Sequence, residues 1–411
     1  MTAARPAAPL VVDPAGHVTV PLGFVAGAGS ADVRGHGDAR LDVAILYSRE
    51  PCASAALFTR SAVRSATVQV CVEHAQRPAP SGLRAVIVNS GNANASTGPQ
   101  GLADARRMTE VVAATLGLDP REVGVASTGV IGRPLPIERI ATVVPGMKLS
   151  RVGGARFAQA IMTTDTRPKQ VAVEFSLGDA SARVAGCAKG SGMIHPDLGT
   201  TLAFITTDVA VPANDLRRWL TETADDTFNM VTVDGDTSPS DTLLCFANGA
   251  SGLSSSEPDV AAAFRDALEA VCRHLARSIA ADGEGAGHLI EVRTVRAPDR
   301  EAARRVARTI AGSMLVKSAI HGRDPNWGRV VAAAGRAGVP LVEERMSVDF
   351  AGVRVFDCGR PLPIDEPALR QALAAPEVSI SVDLGLGEAA ATAWGCDLTP
   401  EYVHINADYT T

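Results

Sequence analysis

Between Val260 and Ile279 the apolar residues Val260, Phe264, Leu268, Val271, Leu275 and Ile279 fall on one helical face, which predicts the clearest helix of the chain. The same period predicts helices over 99–116, where Leu102, Met108, Val111, Val112 and Ala114 repeat, and over 153–162, 215–224, 301–314 and 367–374. Asn214 stands where an N-cap belongs, its short side chain suited to accept from a free amide of the first turn. Short apolar or alternating runs predict strands at 16–26, 41–47, 55–59, 67–72, 84–89, 124–126, 170–175, 202–207, 229–233 and 289–295. Others are predicted at 329–333, 346–350, 353–356, 378–382 and 389–394. Helices and strands interleave without strict βαβ alternation, so an α+β layered architecture is expected rather than a doubly wound parallel sheet.

Composition narrows the class. A chain of 411 residues is long enough for two domains or one large layered unit. With 46% hydrophobic and 20% charged residues it is globular, and with only 4% aromatics its core must be built from small aliphatic side chains. A net charge of −6 with no basic stripe argues against general nucleic-acid binding. No apolar run approaches the ~20 residues that span a bilayer, and no basic segment leads into an apolar one near residue 1, so no secretory leader is expected. The seven cysteines are far apart and form no Cys-x-x-Cys pair, which predicts reduced, mostly buried thiols in a cytoplasmic protein. The scattered histidines form no HxxxH or HExxH pattern, so no metal site is expected.

Candidate chemistry is reached by elimination. The glycines of 282–287 follow a helix and precede a strand, the reverse of the dinucleotide-binding order. The acidic loop at Asp234, Asp236 and Ser238 places Pro239 where a calcium loop needs its glycine and Cys245 where it needs its bidentate glutamate. There is no Gly-x-Ser-x-Gly elbow. What remains is Lys189-Gly190-Ser191-Gly192-Met193-Ile194-His195-Pro196-Asp197-Leu198-Gly199-Thr200-Thr201-Leu202-Ala203-Phe204, a glycine-punctuated loop running into a buried strand. A loop entering a strand accounts for this stretch without any chemistry. The alternative is a threonine nucleophile whose base is its own α-amino group, freed by a cut just before it. Such an amine titrates near ~7.7–8 and can take the hydroxyl proton at neutral pH. Gly199 suits such a cut, since a residue without Cβ tolerates the backbone that the attack requires. The turn at Ser127–Gly129 offers amides and a hydroxyl for an oxyanion.

These residues carry a resemblance. The Lys-Gly-Ser-Gly-Met-Ile…Thr-x-Leu-Ala-Phe segment resembles the self-cleaving segment of the ornithine acetyltransferase (glutamate N-acetyltransferase) family. The likeness spans nearly the whole chain. It includes Ser90-Gly91-Asn92-Ala93-Asn94, Ser127-Thr128-Gly129-Val130-Ile131-Gly132, Met162-Thr163-Thr164-Asp165-Thr166, Asp234-Gly235-Asp236-Thr237-Ser238, Asp282-Gly283-Glu284-Gly285-Ala286, the segment from His321 to Arg329, and Tyr409-Thr410-Thr411.

The resemblance implies self-cleavage between Gly199 and Thr200, giving an α chain of residues 1–199 and a β chain of residues 200–411. It implies a ping-pong cycle in which Thr200 takes acetyl from N-acetylornithine and glutamate collects it, in arginine biosynthesis or a specialised relative of that pathway. By motif match, Thr128 and Gly129 line the oxyanion hole, and Thr163, Lys189, Thr200, Glu284, Asn406 and Thr411 bind substrate. The implied fold is a four-layer α/β/β/α sandwich, built from both chains, with a smaller α/β domain in the C-terminal half. The implied assembly is a dimer of αβ units. No cofactor is implied, with acetyl-CoA left as an alternative donor.

Two departures from the family pattern stand out. The usual Ala-Pro-Asn-Met-Ala-Thr-Met-Leu is here His195-Pro196-Asp197-Leu198-Gly199-Thr200-Thr201-Leu202, which adds a second hydroxyl at Thr201. The usual Thr-Lys after Gly-Glu-Gly-Ala is here Gly287-His288, which removes a charge near Glu284 and makes altered specificity one reading and a harmless surface change the other. A rival enzyme reading is an amide hydrolase or aminopeptidase on the same kind of N-terminal threonine. A rival outside catalysis is an uncleaved amino-acid-binding protein.

Overall fold

The computed structural model describes residues 9–76, 82–195 and 201–408. Its layering is legible from one strand. All residues of Leu202–Thr207 are buried, as happens when both faces of a sheet are covered. Leu202 and Phe204 point into one apolar core, whereas Ala203 and Ile205 point into another, the two-residue alternation of a strand.

That strand sits inside a six-stranded mixed sheet in the order Leu10–Asp13, Lys169–Leu177, Ala180–Lys189, Leu202–Thr207, Thr242–Ala247, Ala53–Phe58. It runs antiparallel to Ala180–Lys189 and parallel to Thr242–Ala247, so that Leu202 lies beside both Lys189 and Thr242. The register therefore gathers Lys189, Thr201 and Asp241 at one edge of the sheet. Beyond Leu202 and Phe204 lies a four-stranded sheet, Phe24–Gly29, Val43–Ser48, Ala85–Asn92 and Val123–Val130, sharing the same core. Phe157 meets Phe204 edge to face across it, with centroids 5.2 Å apart. The helices Ala66–Ala75 and Gly98–Leu116 pack against the four-stranded sheet. On the opposite side, helix Pro258–Ala281 lies on Lys169–Leu177 and Ala180–Lys189, burying Val260, Phe264, Leu268, Val271, Leu275 and Ile279. Its core is continuous with that of a seven-stranded sheet, in which Leu289–Ala297 is flanked by Ala389–Cys396 and Glu377–Asp383 and covered by helix Arg300–Ala311.

Mixed α/β layering around several sheets agrees with the sequence pattern; several local expectations do not hold. Residues 67–72 are not a strand but part of helix Ala66–Ala75, started by Ser65, whose hydroxyl accepts from the Val68 amide at 3.3 Å. Residues 329–333 belong to helix Trp327–Gly335, capped by the Asn326 side chain, with Val330, Ala333 and Ala334 buried at helical spacing. In both places a local cap and tertiary burial override β-branched propensity. Asn214 caps nothing, because its helix already begins at Ala213 behind Pro212. Residues 229–233 reduce to a turn, Phe228–Met230, and a two-residue strand, Val231–Thr232. Of 16–26 only the part from Phe24 is strand. The loops expected after residues 89 and 126 begin later, since Ala85–Asn92 and Val123–Val130 continue as paired strands. Ser127–Gly129 is thus the end of a strand, not a turn. The long strand Ala180–Lys189 and the strand Thr242–Ala247, which flank Leu202–Thr207, escaped the pattern altogether. Six cysteines are buried and Cys358 is exposed. Among the described residues no helix is long and apolar enough to cross a membrane.

Candidate active site

Thr128, Gly129, Thr163, Lys189, Glu284 and Asn406 line one cavity of about 210 Å³. These are the predicted site positions that fall among the described residues; Gly199, Thr200 and Thr411 lie outside them. Thr201, one residue further on, also lines the cavity.

The Thr128 and Gly129 wall depends on two strands meeting closely. Gly129 has φ +129°, and a Cβ there would stand 2.3 Å from the Gly91 carbonyl carbon. Only glycine fits. Lys189, the last residue of its strand, is buried and donates from Nζ to Thr128 Oγ1 at 3.2 Å. Burial pulls its ammonium below the usual lysine range, against the opposing pull of Asp165, Asp241 and Glu284. Across the cavity, Glu284 occupies space that a side chain at Gly192 would need, since a Cβ there would lie 2.3 Å from Glu284 Oε2. That same oxygen accepts from Asn406 Nδ2 at 2.8 Å. Asn406 and Tyr402 both belong to helix Pro400–Asp408, which thereby reaches the cavity from the C-terminal end of the chain.

Behind this wall lies a fully satisfied ionic cluster. Lys169 Nζ sits 2.6 Å from Asp165 Oδ1 and 2.6 Å from Asp282 Oδ2, with all three side chains at most 4% exposed. Asp165 also accepts from the Gly190 amide at 2.7 Å and the Thr163 amide at 3.0 Å. Asp282 accepts from the amide and hydroxyl of Thr166. The cluster therefore ties together the Thr163 loop, the strand end at Lys189 and the loop that carries Glu284. Burial pushes Asp165 up, but the ammonium groups of Lys169 and Lys189 outweigh it and hold the carboxyl at about 2.

The lining beside Thr201 is different. Asp241 is buried, and its Oδ1 accepts from the Thr201 amide at 2.7 Å. The Asp241 carboxylate also faces the amide and hydroxyl of Ser238, while the Thr201 and Ser240 hydroxyls have no hydrogen-bond partner among the described residues. Burial pushes the Asp241 carboxyl well above the usual range. Asp234, also in the lining, accepts from the amides of Met193 and Ile194 at 2.6 and 2.9 Å and so fixes the segment leading toward the Thr200 region.

Sequence reasoning missed Lys169, Asp282 and Asp241 as members of this environment. A signal existed for the first: Lys169 stands four residues after Asp165, inside a quoted motif's flank. The departures at 195 and 288 turn elsewhere. His195 Nδ1 meets Thr232 Oγ1 at 2.9 Å, and His288 Nδ1 meets Asp397 Oδ2 at 3.0 Å.

A buried cation and a carboxylate within one small cavity, beside a strand end rich in backbone donors and hydroxyls, define an enzyme cleft for a small amino-acid-like molecule. The match to known proteins is specific. Residues 25–411 match the ArgJ family, and the chain belongs to it. It is 49% identical over 401 residues to the arginine biosynthesis bifunctional protein ArgJ of Symbiobacterium thermophilum, covering 97% of this chain and 99% of that one. The proteins of the same name from Dehalococcoides mccartyi (47% identical; 97% of this chain, 98% of that one) and Thermus thermophilus (48%; 96% and 100%) match over comparable lengths.

Proposed function

We propose that the chain is a self-processing acetyltransferase of arginine biosynthesis that moves acetyl from N-acetylornithine to glutamate through an acetyl-Thr200 ester. The observation that carries this reading is the convergence of Thr128, Gly129, Thr163, Lys189, Glu284 and Asn406 on one cavity bordered by Thr201. In self-cleavage the Thr200 hydroxyl attacks the Gly199 carbonyl. An ester forms, the Gly199–Thr200 amide bond breaks, and the hydroxyl proton passes to the nitrogen that becomes the new α-amine; water then hydrolyses the ester. In turnover that amine takes the proton as Thr200 Oγ attacks the acetyl carbonyl of N-acetylornithine, and returns it to the departing ornithine amine. Glutamate then attacks the ester through its own amine and restores the hydroxyl. Thr128 and the Gly129 amide stabilise the oxyanion in each step. Lys189 holds a substrate carboxylate and Glu284, steadied by Asn406, an ammonium; Thr163 and Thr411 complete the substrate site.

In this reading helix Pro258–Ala281, the two facing sheets and the helices Ala66–Ala75 and Gly98–Leu116 form the four-layer α/β/β/α sandwich. Residues 1–199 and 200–411 supply it jointly, the smaller domain falls in the C-terminal half, and a dimer of αβ units works in the cytoplasm.

Intact mass and an acetyl-exchange assay test the reading. Thr200→Ala stays uncut and inactive, while Thr201→Ala is cut. The opposite pattern would move the nucleophile by one residue. Acetylornithine consumed equally fast with and without glutamate would instead favour the hydrolase, and supplying acetyl-CoA with glutamate shows whether it serves as a second donor.

A further inference from the structure

We infer that Asp241 is the positioning residue for self-cleavage, acting on the peptide group that joins Thr201 to the residue before it. This rests on the proposal that the chain cuts itself before Thr200. The first observation is contact. Asp241 Oδ1 accepts from the Thr201 amide at 2.7 Å, and the Thr201 carbonyl accepts from the Thr242 amide at 3.0 Å. Thr201 is thus gripped on both sides by consecutive residues of one strand start. The second is conformation. Thr201 has φ +101°, in a region that β-branched residues rarely occupy and that persists only where neighbours over-determine it. The third is environment. Asp241 lines the cavity with Lys189 and Thr128, is 2% exposed, and faces the amide and hydroxyl of Ser238 besides the Thr201 amide.

The amide that Asp241 holds is half of a planar peptide group. Fixing its direction fixes the plane in which the chain enters the strand, and with it the orientation of the backbone that carries the attacking hydroxyl. A nucleophile that must reach the carbonyl just before it has little latitude, and a displacement of about 1 Å costs on the order of 100-fold in rate. Asp241 needs only an acceptor oxygen for this task. An asparagine carries one in the same place, whereas alanine carries none.

The test follows the cleavage of full-length precursor by denaturing gel and intact mass, for the parent, Asp241→Asn and Asp241→Ala. The same substitutions in the Thr200→Ala background are melted, so that folding is read apart from cutting. Asp241→Ala is expected to slow cleavage on the order of 100-fold with its uncut counterpart still folded, and Asp241→Asn to recover cleavage to within about fivefold of the parent. Cleavage of Asp241→Ala at the parental rate overturns the inference. So does an Asp241→Asn variant as slow as Asp241→Ala, which would put the carboxyl proton or charge in place of the acceptor. Loss of the folded state in the Thr200→Ala/Asp241→Ala protein overturns it as well, by reducing the effect to stability. A parent that never cuts sinks the self-processing reading itself, a separate result.

Discussion

Two groups of buried charge, one behind the cavity wall and one in its lining, are handled in opposite ways. In the one, Asp165, Lys169 and Asp282 satisfy one another, and Asp165 also takes two backbone amides. In the other, Asp241 takes the Thr201 amide and also faces the amide and hydroxyl of Ser238, beside two hydroxyls, of Thr201 and Ser240, that have no partner among the described residues. The first arrangement fixes geometry: it joins three chain segments that are remote in sequence, so that Lys189, Thr163 and Glu284 face one space. The second leaves polar capacity open where the chain is expected to be cut. The fold invests rigidity behind the cavity wall and keeps open polar groups next to the backbone proposed to react.

The largest effect comes from breaking the satisfied group. Lys169→Met leaves two carboxylates buried without their cation, and removing one partner of such a cluster costs roughly 3–5 kcal/mol. Urea unfolding of the Thr200→Ala chain with and without the change measures it. A loss below about 1 kcal/mol, the range of surface pairs, would mean that the cluster does not organise the wall.

Glycine 192 comes next. Gly192→Ala drives a Cβ onto the Glu284 carboxylate, so Glu284 must leave its bond to Asn406. The expected cost is on the order of 100-fold in kcat/KM for acetylornithine, about 2.7 kcal/mol, with cleavage before Thr200 unaffected. Unchanged kinetics would remove Glu284 from the substrate site.

Acid titration sharpens the contrast because the two carboxyls carry opposite signs. Asp165 is held at about 2, below its ordinary 3.8, so the unfolded chain binds more protons between those values. Its contribution, on the order of 2 kcal/mol, is present above about pH 4 and is lost as pH falls toward 2. Asp241 is shifted upward by burial, so the native state binds the extra proton and stability declines as pH rises above 3.8. In the Thr200→Ala background, Asp165→Asn should flatten the acid limb of the melting profile and lower stability at pH 7. Asp241→Asn should remove the decline above pH 4 and raise stability at pH 7. Parallel responses would show that the two groups do not differ electrostatically.

Much of the cavity wall was legible because its residues sit in short motifs whose glycines and charges stand out from the periodic pattern. Lys189 and Glu284 are examples. Asp241 was not, since it read only as the last residue of the acidic loop that begins at Asp234. Its role depends on the parallel pairing that brings Thr242–Ala247 beside Leu202–Thr207, a non-local fact. Lys169 was hidden because it falls just before the expected strand 170–175, whereas the strand Lys169–Leu177 begins at that very residue. The alternation of Thr67, Gln69 and Cys71 against Val68, Val70 and Val72 imitated a strand, and only the Ser65 cap and the four-stranded sheet behind it select a helix. The core helix 258–281 was legible because its signal is long and local.

The smallest effect concerns His288, where the family pattern has lysine. Proximity to Glu284 in sequence left altered specificity and a harmless surface change as the two readings. In the structure the ring meets Asp397 Oδ2 at 3.0 Å, and the same carboxylate takes the amides of Gly287 and His288 at 2.8 and 2.9 Å. Burial pushes Asp397 up, but these bonds prevail and hold it below its ordinary range. His321 Nδ1 also approaches it, at 3.3 Å. Position 288 therefore serves a carboxylate that anchors the turn after Glu284 and lies outside the substrate wall. A lysine there can meet the same oxygen, so His288→Lys should change stability by less than about 0.5 kcal/mol. It should also leave the ratio of kcat/KM for acetylornithine to that for other acetylated amino acids within about twofold, a difference of about 0.4 kcal/mol. A tenfold change in that ratio would place position 288 in contact with substrate and make the departure from lysine a determinant of specificity.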